Sequence, residues 1–82
     1  MILNIDRGHI WVRLEEKTAK VQGEMFFPGG DKMGFVIYAD TLDYWEPKEQ
    51  RQKISKDDVN RIIEDIKADF SKGGHVLEIE ST

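Results

Sequence analysis

The chain has no cysteine, which removes disulfides, thiolate metal sites and cysteine nucleophiles together and agrees with a reducing compartment. Histidine is nearly as scarce. His9 and His75 stand alone, and neither a His-x-x-x-His nor a Glu-x-x-His spacing exists, so no metal or acid–base motif is assigned to them. No apolar run approaches the length of about 20 residues that spans a bilayer. The start, Met1-Ile-Leu-Asn-Ile-Asp6, lacks the basic residues and long apolar stretch of a signal peptide. These absences predict a cytoplasmic protein with no membrane partner. Positive charge is the minority sign: 12 Lys and Arg against 16 Asp and Glu leave a net charge of −4. An acidic surface repels phosphate, so nucleic acid is not an expected partner. The same surface favours encounter with a basic partner, although acidity also serves plain solubility.

Two acidic or glycine-rich stretches look more chemical than they are. Gly29-Gly30-Asp31-Lys32-Met33-Gly34 has glycines and a lysine but no Gly-Lys-Ser/Thr spacing, and no helix follows it to bind an anion. It reads as a flexible connection within the loop expected over 26–34, where Pro28 lacks an amide donor. Glu64, Asp65 and Asp69 read as a solvated helix face. There Asp57 and Asp65 flank Arg61 at four residues' distance and Glu64 precedes Lys67 by three, giving surface ion pairs of a few tenths of a kcal/mol each. No catalytic residue, cofactor or metal is expected.

What is present is a fold. Eighty-two residues, 39% of them hydrophobic and 34% charged, predict one globular domain over 1–82 with a modest core. Val59, Ile62, Ile63, Ile66 and Phe70 fall on one stripe of a 3.6-residue helix running from the cap Ser55. Asp57 and Asp58 suit its positive end and Lys72 its negative end, and Gly73-Gly74 can stop it in the left-handed conformation. Upstream, period-2 alternation predicts strands at residues 2–5, 10–14, 19–25 and 35–39, and a last strand at 75–80 follows the helix. The order β-β-β-β-α-β predicts an α+β domain: a mainly antiparallel sheet of about five strands with one amphipathic helix packed on one face. The place of the last strand, at an edge or between earlier strands, stays open.

The alternation assigns the two faces. Ile10, Val12, Leu14, Ala19, Val21, Met25, Phe35 and Ile37 should meet the helix. Trp11, Arg13, Lys20, Gln22, Glu24, Val36 and Tyr38 should lie on the side the helix cannot cover. Trp11, Arg13 and Tyr38 are candidate partner-binding residues there, because aromatics and arginine are enriched at binding hot spots. The alternative is that the 26–34 or 40–53 segment folds over them. Asp40 to Trp45 is expected to make a short turn or a single helical turn, with Asp40 as its cap, Leu42 and Trp45 tucked inward and Pro47 ending it. Asp43, Tyr44 and Glu46 are candidate contacts for a basic partner, with a plain structural connection as the alternative reading.

Ile5-Asp6-Arg7-Gly8-His9-Ile10, Lys20-Val21-Gln22-Gly23-Glu24, Phe35-Val36-Ile37-Tyr38 and Tyr44-Trp45-Glu46-Pro47 ahead of an amphipathic helix resemble a small bacterial family, immunity protein 74 of polymorphic toxin systems. The resemblance covers nearly the whole chain, with Lys48 where the family carries a second proline. It implies a cytosolic protein that neutralises a cognate toxin by direct binding and has no enzymatic activity. It brings no set of functional residues. The net acidity suits a basic toxin domain such as a nuclease. The competing readings are a self-associating domain whose homodimer interface uses Trp11 and Tyr38, and a small hydrolase built on His9 or His75.

Overall fold

The computed structural model describes residues 1–80; the last two residues of the domain expected over 1–82 lie outside the described residues. Strands β1 (Ile2–Ile5), β2 (His9–Leu14), β3 (Lys17–Gly29) and β4 (Lys32–Tyr38) form an antiparallel meander. Helix α1 (Lys56–Lys72) then crosses one face and delivers β5 (Val76–Glu80) parallel to β4, at the edge of a sheet ordered β1-β2-β3-β4-β5. A parallel neighbour needs a long crossover, and the helix with its approach supplies it. The fold is the α+β arrangement the pattern predicts, and the open question of the last strand is resolved at the edge.

The inward faces are as the alternation requires. Ile10, Val12, Ala19, Val21, Phe35 and Ile37 are buried, and Leu14 and Met25 pack at their margin. The helix contributes Ile62, Ile66 and Phe70 to the same core, with Val59 and Ile63 only half-buried at its flanks. Ser55 caps the helix, its Oγ accepting from the Asp58 N–H at 3.1 Å. The stop is divided between the glycines: Gly73 stays right-handed and Gly74 takes the positive φ of 70°.

The segment 26–34 is no loop. β3 runs on to Gly29 and β4 begins at Lys32, so only Gly30 and Asp31 turn the chain. Phe26 and Phe27 favour extended backbone. Pro28 is accommodated because the register shifts between Phe26 and Gly29, where a missing donor breaks no ladder bond. The turn residue Gly30 has φ 64°, and Phe26 lies over Gly34 on the opposite strand, where a Cβ would collide with the edge of the Phe26 ring.

The 40–53 segment also departs from expectation. The turn is a 3₁₀ turn at Ala39–Thr41, so Asp40 lies within it, Tyr38 holds the cap position and Leu42 ends it. The chain then runs beside itself, with Tyr44 bridging Lys53 and Glu46 bridging Thr18. Leu42, Trp45 and Ile54 are buried, which closes the end of the core beyond β4. Ile54 had no assigned place in the sequence pattern. It occupies the position before the cap, with Val59 at the matching place one turn on, which is the spacing of a hydrophobic staple.

Candidate partner-binding surface

Opposed residues in a sheet share a face, so the register gives the uncovered side directly. Trp11 sits opposite Lys20 and Arg13 opposite Thr18 across β2 and β3. Glu24 faces Val36 across β3 and β4, and Tyr38 faces Glu80 across β4 and β5. Neither the 26–34 hairpin nor the 40–53 segment seals this side: Trp11 and Tyr38 are half-buried among their sheet neighbours, and Arg13 is exposed.

Each candidate is held by particular neighbours. The Lys20 ammonium stands 5.5 Å from the centroid of the Trp11 ring, a cation–π contact, and the His9 ring lies 5.5 Å away. The Arg13 Nε–H donates to the Glu15 carbonyl at 3.0 Å. Partial burial raises the Tyr38 phenol above its ordinary pKa, and the adjacent Glu24 and Glu80 carboxylates push it the same way. Glu46 donates its N–H to the Thr18 carbonyl at 2.7 Å, so Arg13, Thr18 and Glu46 make one row across neighbouring backbones on the uncovered side. Trp45 turns inward between Tyr44 and Glu46, which leaves Tyr44 on the side of Glu46. Asp43 is occupied locally. Desolvation would raise its pKa, but the Tyr44 N–H at 2.7 Å and the Lys48 ammonium at 3.5 Å outweigh that and lower it. The fold thus gathers Trp11, Arg13, Tyr38, Tyr44 and Glu46 along one surface and leaves Asp43 bracing its own connection.

The surface has an uneven charge. Arg13 on β2 and Lys20 on β3 are basic, while Glu24 further along β3 and Glu78 and Glu80 on β5 are acidic. Glu78 and Glu80 were outside the set of candidates. Their alternation with Leu77 and Ile79 places them on one face, but which neighbours they join depends on β5 lying beside β4, which no local pattern encodes.

Other groups are accounted for structurally. A cleft of about 660 Å³ lies between the β2–β3 turn and α1, lined among others by Leu14, Glu15, Arg61 and Ala68. Its charges satisfy one another. Arg61 reaches Glu15 and Asp58 at 3.3 Å each, and the N-terminal ammonium meets Asp65. Asp65 and Asp57 are therefore not the partners of Arg61 that the four-residue spacing suggests, whereas Glu64 does pair with Lys67 at 3.4 Å. The two histidines do not converge. His9 lies 3.3 Å from Asp6, and His75 Nδ1 accepts the Met33 N–H at 3.0 Å from the far side of the sheet. Among the described residues no group of His, Asp and Glu could hold a metal ion, and no helix is long and apolar enough to cross a membrane.

The family model described as Immunity protein 74 matches residues 2–80. No curated protein and no solved structure matches the chain significantly.

Proposed function

The chain belongs to the immunity protein 74 family, and from that premise we propose that it neutralises a cognate bacterial toxin by binding it in the cytoplasm, without a catalytic step of its own. The observation that supports this reading is the side of the sheet opposite α1, where Trp11, Arg13, Tyr38, Tyr44 and Glu46 line a surface that the chain leaves uncovered. Half-buried aromatics held in place by neighbours lose little freedom on docking, which is what a binding hot spot needs. A net charge of −4 favours a basic toxin domain, as a nuclease acting on an anionic substrate would be.

Co-expression with the product of the adjacent upstream gene tests the proposal. The expected result is a complex that co-purifies and a loss of that product's toxicity. Trp11→Ala and Tyr38→Ala, compared as folded proteins below their melting temperatures, should each weaken the complex by about tenfold or more. A non-toxic product and no complex would end the proposal. Light scattering separates the self-association reading: a stable dimer lost in both variants would assign the surface to a second copy instead.

A further inference from the structure

The sheet has two free edges, and they are built differently. β1 is four residues long and its register with β2 shifts between Ile2 and Asn4. Its start is tied down by the N-terminal ammonium, which donates to the Arg13 carbonyl at 2.9 Å and meets Asp65. Short, bulged edges resist the addition of another strand. β5 has neither the bulge nor the tether, and its protection is the charge of Glu78 and Glu80. It pairs with β4 in unbroken register over its five residues, and its sequence Val-Leu-Glu-Ile-Glu holds no proline, glycine or lysine. Among the described residues no backbone hydrogen bond reaches its outer side from another element. Ile79 remains 39% exposed, whereas Ile37, beside it on β4, is fully buried. The apolar layer of the sheet therefore ends at β5 without being closed.

The charges on β5 select what can close it. Glu78 and Glu80 both lie on the uncovered face, next to Val36 and Tyr38, with Glu24 one strand further in. A second copy pairing antiparallel about the middle of β5 would bring Glu78 against Glu78, and like charges directly opposed are destabilising. A strand with lysine or arginine at alternate positions and apolar residues between them would instead meet Glu78 and Glu80 on one face and Leu77 and Ile79 on the other. We infer that β5 is a docking edge for an extended segment of the partner, basic on one face and apolar on the other, which adds to the sheet as a sixth strand. This rests on the partner-binding reading above and names the contact. Backbone hydrogen bonds would supply the affinity, and Glu78 and Glu80 would exclude self-pairing.

Amide spectra of the isotope-labelled protein test this without the toxin, using the synthetic peptides Lys-Val-Lys-Val-Lys and Glu-Val-Glu-Val-Glu as probes. The expected result is a set of shifts centred on Val76–Glu80 with the basic peptide and none with the acidic one. A Glu78→Lys/Glu80→Lys variant should weaken that binding about tenfold or more. A Glu78→Val/Glu80→Val variant should self-associate in light scattering where the parent does not. Equal response to both peptides, or shifts absent from β5, would overturn the inference. If a toxin complex forms while the β5 amides exchange as in the free protein, the edge contact is wrong and toxin binding stands. If β5 takes the basic peptide but no toxin complex exists, the reverse holds.

Discussion

Gly23 sits at an inward position of β3, where its strand neighbours Ala19, Val21 and Met25 all carry side chains. A Cβ there would fall against the Val36 carbonyl oxygen and the Phe35 ring. Only glycine lets β4 approach this closely. Gly23→Ala should destabilise the protein by about 1–3 kcal/mol, measured by urea unfolding, because backbone has to move. The alternation pattern alone reads Gly23 as one more strand residue. Asp6 carries the other residue-scale consequence. Its carboxylate accepts the Gly8 N–H at 2.8 Å, and His9 stands beside it; these hold its pKa below the ordinary value. A pKa depressed in the folded state stabilises above the unfolded value of about 3.9 and ceases to as pH falls through the folded one. Asp6→Ala should melt below the parent at neutral pH, and the gap should close on acidification below that range. A gap unchanged in acid would remove the carboxylate from the turn's stability.

At the scale of elements, α1 was legible because its signals are local. The stripe repeats at the helical period, and the cap is a single residue with a single bond. Ser55→Ala should remove about 1 kcal/mol by leaving the Asp58 N–H without its acceptor. Within the stripe the five apolar positions are not equal. Ile66 is fully buried and Ile63 is not. Ile66→Ala should destabilise by about 2–5 kcal/mol and Ile63→Ala by distinctly less, compared in the same denaturant series. Periodicity cannot make that distinction, since it assigns a face and not a depth. The β3–β4 hairpin was misread for a related reason. Pro28 and the three glycines Gly29, Gly30 and Gly34 are turn signals, but the register shift beside Pro28 and the packing of Phe26 over Gly34 let both strands continue past them. His75 then ties this hairpin to the end of α1, accepting the Met33 N–H and meeting Phe70 edge-on.

At the scale of the whole molecule, one helix on one side of a five-stranded sheet leaves the opposite side and the β5 edge uncovered. Charge acts at this range before any contact forms. If the partner is basic, the association rate should fall as salt is raised while the dissociation rate changes little, which stopped-flow mixing would show. A rate indifferent to salt would argue against electrostatic encounter.

Periodicity in the chain decided which residues are wet and which are dry: Trp11 and Tyr38 out, Ile10, Val12 and Ile37 in, the α1 stripe inward. Side chains alone record that difference, so the letters carry it. Strand order, the parallel place of β5, the close approach at Gly23 and the meeting of Tyr38 with Glu24 and Glu80 were decided by the tertiary structure. Strands pair through backbone groups that every residue shares, and residues far apart in the chain become neighbours only when those groups have chosen their partners.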